Sequence, residues 1–268
     1  MATYVFSDVH GHFGTLDRLL ERLSPSSEDQ IFMLGDMIDR GPDPISVVKC
    51  CMELPNTTVL MGNHEDLMFN FFANPDDFGA QANWQINGSG PTFDGLRSLT
   101  RDEAVEMARW LFTLPLYAQT EVEGRRYLLV HAGIDPRRIP TDHPEVWDEA
   151  AIDELVGAQY QEDLMWIRED FWGVPTGLVN DKGEGPIVIA GHTPTAYLDV
   201  MADLPDRPAM GDDGLCRMVR TGACEQTGGV PDRWDIDCGC AGGAGFGQLL
   251  MLRLDDGEEF YEPVREGE

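Results

Sequence analysis

The sequence predicts an α/β fold in which parallel strands carry polar residues at their carboxyl ends. Three short apolar runs, at 4–6, 31–34 and 58–61, indicate buried strands. Apolar residues at helical spacing lie between the first and second runs, and again between the second and third. This β-α-β-α-β alternation predicts a parallel sheet with right-handed crossovers.

The remaining elements follow from periodicity and from chain-breaking residues. Helices are expected at 16–23, 45–54, 65–72 and 101–112, the first two closed by Pro25 and Pro55. Further strands are expected at 127–130, 187–190 and 248–254, with β-structure again near 260. Residues 73–96 are polar and turn-rich, and residues 203–233 have the Gly, Asp and Pro content of a long surface loop. The simplest organisation is one domain over 1–268, with loop insertions at about 73–98 and 203–235.

Composition excludes several classes of protein. The formal charge of −29 over 268 residues opposes binding to nucleic acid or to an anionic membrane. No apolar run is long enough to span a bilayer, and no signal peptide precedes the first strand, so we expect a cytoplasmic protein. The six cysteines lack zinc-ligand spacing and are expected to be free thiols.

Polar residues that follow five of the predicted strands form a candidate metal site. A lone histidine at a strand end is more often a capping or hydrogen-bonded residue, but here the pattern repeats. Carboxylate, amide and imidazole ligands together suit Mn²⁺, Fe or Zn²⁺, and six ligands suit two ions that share a bridging carboxylate. The candidates are Asp8, His10, Asp36, Asn63, His131 and His192.

The motifs that contain these residues resemble, in order, those of the calcineurin-like metallophosphoesterases, and most closely the phosphoprotein phosphatase type in its bacterial and phage form. The matching segments are 8–11, 35–41, 62–65, 131–133 and 191–193. The resemblance implies a four-layer α-β-β-α sandwich with a dimetal site at the strand carboxyl ends. It also implies that Asp8, His10 and Asp36 hold one ion, and that Asp36, Asn63, His131 and His192 hold the other. A water between the ions would then attack phosphorus in line.

The same resemblance assigns residues to catalysis and substrate binding. His64 is expected to be the general acid, and Asp39 the carboxylate that pairs with it, although Asp39 could instead only cap the turn at Gly41. Arg40 and Arg168 are expected to grip phosphate, together with Asn63. For Arg168 the competing interpretation is a surface ion pair with Glu162 or Glu169.

The resemblance favours a metal-dependent phosphatase that acts on phosphoserine and phosphothreonine in proteins, with phosphotyrosine as a further substrate. The alternative is a symmetrical dinucleoside tetraphosphate hydrolase. Asp39 and Glu65 favour the first, because the hydrolases tend to lose that aspartate and to carry Asp after Asn-His. A non-catalytic metal-binding scaffold is a third possibility.

We expect two divalent metal ions, with Mn²⁺ as the activator in vitro and Fe or Zn as alternatives, and a phosphoprotein or phosphopeptide partner. The segment 222–237 is expected to form a lid that selects the substrate. Trp84 and Asn87 are candidates for a substrate wall, and packing within a loop explains them equally well.

Overall fold

The structure, a computed structural model, describes residues 1–268 and is built on ten strands and nine α-helices. The strands are β1 (Thr3–Phe6), β2 (Gln30–Met33), β3 (Thr57–Val59), β4 (Tyr117–Val122), β5 (Arg125–Val130), β6 (Ile187–Ala190), β7 (Val219–Thr221), β8 (Arg233–Asp235), β9 (Gln248–Arg253) and β10 (Glu259–Pro263). The helices are α1 (Phe13–Leu23), α2 (Pro44–Glu53), α3 (Asn63–Ala73), α4 (Phe78–Ile86), α5 (Gly90–Ser98), α6 (Arg101–Leu111), α7 (Glu149–Gly157), α8 (Gln161–Trp166) and α9 (Glu169–Trp172).

The strands form two five-stranded mixed sheets. The first has the order β10-β9-β1-β2-β3, in which β1, β2 and β3 run parallel as predicted. The second has the order β4-β5-β6-β8-β7, in which β5, β6 and β8 run parallel. Each sheet therefore contains three adjacent parallel strands, which lie toward one edge of the first sheet and in the middle of the second. The carboxyl ends of these parallel strands can supply one site.

The two sheets pack face to face, and helices cover both outer surfaces. Alternate strand residues such as Val5 and Phe32 of the first sheet share a core with Leu129 and Ile189 of the second. The opposite face of the first sheet packs against α1, α2 and α3, and that of the second packs against α7, α8 and α9. This confirms the predicted four-layer α-β-β-α sandwich.

The predicted helices form where their capping residues indicate. Asp43 caps α2, since its side chain accepts the Ser46 N–H and Pro44 occupies the first turn. Thr100 and Glu103 form a capping box at the start of α6. The cysteines are all free, as predicted, and no helix combines the length and apolarity needed to cross a membrane.

The prediction of a loop insertion at 73–98 is wrong, because this segment contains α4 and α5. Asp77 caps α4 by accepting two backbone N–H groups, and Pro91 lies in the first turn of α5. Both helices are short and weakly amphipathic, so their periodicity did not stand out against the turn residues. Their buried residues, Trp84 and Thr92, pack against the functional site described below.

The second predicted insertion, 203–235, and the predicted lid at 222–237 also need correction. Strands β7 and β8 lie within these segments and complete the second sheet beside β6. Arg233 is fully buried and donates hydrogen bonds to three backbone carbonyls at the carboxyl end of α9 and just beyond it. The segment is therefore part of the sheet scaffold, and three-residue strands carry too little alternation to be recognised from sequence.

Candidate metal centre

The structure brings all six predicted metal ligands together at the carboxyl ends of the parallel strands. Asp8, Asp36 and Asn63 come from segments after β1, β2 and β3, whereas His131 and His192 follow β5 and β6. Both sheets therefore contribute to one centre. The six side chains are nearly closed to solvent: Asp8, His10, Asp36, Asn63, His131 and His192.

The loops that carry these ligands adopt backbone conformations that most residues avoid. Asp8, His10, Asp36 and His192 have φ between 45° and 64°, in the left-handed region. Non-glycine residues in this region are uncommon, and they concentrate at functional sites where the surrounding structure holds them. The loops thus direct these side chains inward, although the backbone conformation that this requires is unfavourable for residues other than glycine.

Asp36 lies between the two groups of candidate ligands. Its Oδ2 is 3.4 Å from His10 Nε2, and its Oδ1 is 3.5 Å from His131 Nε2. One oxygen thus faces each group, which is the geometry needed for a bridging carboxylate. On the side of His131, the amide oxygen of Asn63 lies 2.9 Å from His131 Nε2 and 2.8 Å from His192 Nδ1.

Asp8 completes the other group and leaves one oxygen unused. Its Oδ2 accepts hydrogen bonds from the Ser7 hydroxyl and the His192 N–H. Its Oδ1 lies 3.9 Å from His10 Nε2 and is buried without a hydrogen-bond partner. A buried anionic oxygen without a partner is costly, so a cation beside Asp8 and His10 fits these residues.

Hydrogen bonds fix the orientation of two imidazole rings. The Nδ1 atoms of His10 and His131 lie 2.9 and 2.7 Å from the carbonyl oxygens of Ile38 and Leu34. A carbonyl only accepts, so each Nδ1 carries the proton and each Nε2 is left as a lone-pair donor directed at Asp36. This is the outer-shell arrangement that commonly orients metal-binding histidines.

The electrostatics of the centre favour metal-binding protonation states at three of the candidate ligands, whereas burial raises the pKa of Asp8. Burial lowers the pKa of His10 and of His192 well below the usual range, so both rings are neutral. Burial tends to raise the pKa of Asp36, but four surrounding imidazoles outweigh it and the pKa is lowered. Neutral imidazoles and an ionised carboxylate are the forms that bind a divalent ion.

His64 lies at the edge of this centre and pairs with Asp39, as predicted. Its Nδ1 is 2.7 Å from Asp39 Oδ2, and its Nε2 is 3.0 Å from Arg40 Nη2. Burial lowers the pKa of His64, but the carboxylates of Asp36 and Asp39 outweigh burial and the pKa is raised. His64 Nε2 is also 3.9 Å from Asp36 Oδ2, close enough for a ligand. The positive charge of the neighbouring Arg40 guanidinium makes His64 Nε2 a poorer ligand for a cation than Asp8 Oδ1, which has no hydrogen-bond partner.

The two predicted phosphate-binding arginines lie beside different ligand groups. Arg40 is exposed and contacts His64, whose ring lies beside that of His10. Arg168 is half-buried and donates to the His192 carbonyl at 2.9 Å and to Thr193 Oγ1 at 3.2 Å. Neither Glu162 nor Glu169 forms an ion pair with it, so the alternative interpretation of Arg168 does not hold in the structure.

Sequence reasoning missed several residues that support the centre. Glu65 accepts the N–H groups of Asp36, Met37 and Gly62 at 2.9–3.0 Å, and so ties the loops after β2 and β3 together. Its position three residues after Gly62, at a helix start, was an available signal. A side chain at Gly62 would collide with Asp36, which explains the glycine there.

Two further aspartates were missed because β8 was not predicted. Asp235 and Asp237 lie at the carboxyl end of β8, next to the strand that carries His192. Burial, reinforced by neighbouring carboxylates that include Asp8 for both, raises the pKa of each well above its usual range. Trp84, by contrast, is only 1% exposed and bonds Asp39, so it does not form the substrate wall considered from the sequence. Asn87 is half-buried and caps its own helix.

The fold and the geometry of this centre define a metallophosphoesterase. The profile of the calcineurin-like phosphoesterase family matches residues 1–221, and the chain belongs to that family. Its members are metal-binding hydrolases.

The chain is similar along its whole length to named relatives. It is 31% identical to the symmetrical bis(5'-nucleosyl)-tetraphosphatase of Erwinia tasmaniensis, over 99% of this chain and 98% of the relative. It is 27% identical to the enzyme of the same name from Dechloromonas aromatica, over 97% and 95%. Its fold is also similar to the solved structure of a provisionally assigned diadenosine tetraphosphatase, with a TM-score of 0.52, 20% identity and coverage of 99% and 94%.

Proposed function

We propose that this protein is a symmetrical dinucleoside tetraphosphate hydrolase, which would convert diadenosine tetraphosphate into two molecules of ADP. The observation that carries the proposal is the 31% identity to a symmetrical tetraphosphatase across 99% of the chain. The aligned range spans the α4–α5 segment and the β7–β8 segment as well as the metal-binding motifs. The proposal replaces the protein phosphatase activity that the sequence favoured.

The two residues that favoured a protein phosphatase carry less weight once their contacts are known. Glu65 and Asp39 are both fully buried. Glu65 is committed to backbone N–H groups, and Asp39 is committed to His64, Thr92 and Trp84. Every carboxylate oxygen of the two side chains already accepts a hydrogen bond within the protein. The presence of Glu65 and Asp39 therefore reflects structural support of the site, and it is a poor guide to the substrate.

We assign metal binding to the residues that the geometry groups around Asp36. Asp8, His10 and Asp36 would hold one divalent ion, and Asp36, Asn63, His131 and His192 would hold a second. When bound, two such ions supply Lewis acidity and lower the pKa of water so that it can attack phosphorus. Manganese is the activator that we would test first, with iron and zinc as alternatives, because this mixture of oxygen and nitrogen donors suits all three.

The remaining residues handle phosphate and proton. Arg40 and Arg168 lie beside opposite ligand groups and would neutralise phosphoryl oxygens on either side of the reacting phosphorus. A tetraphosphate chain extends beyond one phosphoryl group in both directions, so it can use both arginines at once. His64 would donate its Nε2 proton to the leaving oxygen, and Asp39 would hold the ring through Nδ1.

The test is steady-state hydrolysis by the manganese-loaded protein, with diadenosine tetraphosphate compared with a phosphothreonine peptide. We expect kcat/KM to favour the dinucleotide by tenfold or more, about 1.4 kcal/mol in transition-state binding. ADP should be the only nucleotide product, since unequal cleavage would release AMP and ATP. The Asp36→Ala variant controls for contaminating activity. A preference for the peptide would instead establish a protein phosphatase with the same site.

A further inference from the structure

Two residues of the α4–α5 segment bind the carboxylate of Asp39. The Trp84 indole N–H donates to Asp39 Oδ2 at 2.9 Å, and the Thr92 hydroxyl donates to Asp39 Oδ1 at 2.6 Å. Oδ2 also faces His64 Nδ1 at 2.7 Å. The carboxylate is therefore held through both oxygens, and only one of its three partners is the histidine that the motif pairs it with.

The same segment also holds the backbone on which Asp39 lies. Asp39 and Arg40 have φ of 70° and 67°, so this turn lies in the left-handed region. The Thr92 hydroxyl accepts the Asp39 N–H at 2.9 Å, and the Gly88 carbonyl accepts the Arg40 N–H at 3.0 Å. The segment therefore fixes both the side chain and the backbone of the turn.

These contacts are closed to water. Trp84 is 1% exposed, and Thr92, Asp39 and His64 are fully buried. A buried carboxylate that loses a donor has no solvent molecule to replace it, and leaving it unsatisfied carries the full desolvation penalty. The Asp39 carboxylate consequently has one favourable orientation, and that orientation determines where the His64 ring lies.

We propose that Trp84 and Thr92 are positioning residues for the His64–Asp39 pair. Their side-chain hydrogen bonds go to Asp39 and not to any of the six candidate metal ligands. They hold Asp39 so that it accepts the His64 Nδ1–H and directs Nε2 toward the phosphoester. As the bond from phosphorus to the leaving oxygen breaks, the Nε2 proton moves to that oxygen. Water supplies the new oxygen on phosphorus and releases a proton to solvent, and solvent returns a proton to His64. The α4–α5 segment is thus the support of the proton donor.

The chain offers closely matched control variants. Trp84→Phe removes one donor to the Asp39 carboxylate. Thr92→Val removes the other side-chain donor and also the acceptor of the Asp39 N–H. Both variants retain most of the packing. Trp172 and Thr221 are also fully buried, but Trp172 Nε1 and Thr221 Oγ1 have no hydrogen-bond partner. Trp172→Phe and Thr221→Val therefore make the same chemical change without loss of a bond. Thr92→Ser retains the hydroxyl and should restore function.

The kinetic test compares two aryl phosphates with the manganese-loaded variants. Phenolate is a more basic leaving group than p-nitrophenolate and needs the proton more. We expect Trp84→Phe and Thr92→Val to lower kcat for phenyl phosphate by about tenfold, a part of what a general acid contributes. The kcat for p-nitrophenyl phosphate should fall less than about twofold, with KM, metal content and both controls unchanged. Equal losses with both substrates, or no loss, would overturn the proposal.

A second measurement does not depend on turnover. In zinc-loaded protein, the ¹H NMR signal of the His64 Nδ1 proton should be downfield, because the proton is shared with a buried carboxylate, and His64→Asn identifies it. We expect Trp84→Phe and Thr92→Val to shift or broaden this signal, and Thr92→Ser and the two controls to leave it in place. An unmoved signal in both test variants would refute the positioning role. This proposal rests on the part of the proposed function that states phosphoester hydrolysis at this site, and it does not require that the substrate is a dinucleoside tetraphosphate. Both measurements would therefore still test it if the natural substrate proved to be a different phosphoester.

Discussion

His64 Nδ1 lies 2.7 Å from Asp39 Oδ2, and at most 1% of either side chain is exposed. A histidine beside a metal centre can either bind the metal ion or transfer a proton, and this contact helps to decide between the two functions. Because Nδ1 is committed to Asp39, only Nε2 remains to act. Its neighbour is the guanidinium of Arg40 at 3.0 Å, which can only donate, so Nε2 accepts a hydrogen bond in this structure. The positive charge of Arg40 opposes the binding of a divalent cation at this nitrogen, and a proton transferred through Nε2 must displace this contact.

Replacing His64 with Asn should therefore impair the chemical step and leave the metals in place. We expect kcat for phenyl phosphate to fall by roughly 10²–10⁴, the usual contribution of general acid catalysis. Metal content, measured by plasma mass spectrometry, should match that of the original protein. His143→Asn, at an exposed histidine, is the control. Loss of one ion from His64→Asn would show that His64 is a ligand in place of Asp8.

Replacing Asp36 with Ala should empty both metal positions. The two oxygens of Asp36 face different ligand groups, at 3.4 Å from His10 Nε2 and 3.5 Å from His131 Nε2. Without the Asp36 carboxylate, each of the two ligand groups loses the anionic ligand that they share. The measurement is metal content after dialysis, with Asp94→Ala, at a side chain that is 82% exposed, as the control. Retention of two ions would contradict a bridging role for Asp36.

Replacing Glu65 with Ala should weaken both the fold and metal binding. Three buried N–H groups, including that of Asp36, would lose their acceptor. Each such loss costs about 1–3 kcal/mol, so we expect the free energy of unfolding in urea to fall by at least about 3 kcal/mol. Loss of outer support typically weakens metal affinity by about 10–100-fold, which a metal titration would detect. Glu103 caps α6 from an exposed position, and Glu103→Ala should leave metal affinity intact.

The contact between Glu268 and Arg18 should make stability depend on pH in the acid range. Hydrogen bonds from Arg18 lower the pKa of Glu268 to about 2. A lowered pKa means that the unfolded chain binds the proton more readily. The stabilisation is therefore complete above the ordinary glutamate pKa and is lost as pH falls toward about 2. Glu268 is partly exposed, so we expect Glu268→Gln to lower stability by about 1 kcal/mol or less at pH 7. The difference between the two proteins should vanish near pH 2, and a difference that grows on acidification would contradict this assignment.

The sequence determined the central layers of the fold and predicted the candidate ligands that the structure brings together. The runs before Asp8, Asp36 and Asn63 are continuous and apolar, as in strands that are buried on both faces. Because parallel strands place their carboxyl ends at one edge, polar residues after each run had to converge. This reasoning needed only local pattern and one topological rule, and the observed distances around Asp36 agree with it.

The substrate class was not accessible in the same way. Asp39 and Glu65 pointed to a protein phosphatase only through motif identity. Their contacts show that both are internal supports. Our proposal of a dinucleotide substrate rests instead on full-length relatives that are named tetraphosphatases. A residue next to a ligand in sequence need not face the substrate, because helix α3 directs Glu65 back toward the loops and away from the cleft.

What only the tertiary structure decided concerns residues whose partners are distant in the chain. Trp84 and Thr92 form hydrogen bonds with Asp39, which lies 45 and 53 residues away in the sequence. Strand β8 pairs with β6, although the sequence around β8 has the composition of a loop. Local propensity is weak in helices of nine residues and in strands of three. Such elements form because burial against the rest of the molecule stabilises them, and this burial cannot be predicted from the local sequence pattern.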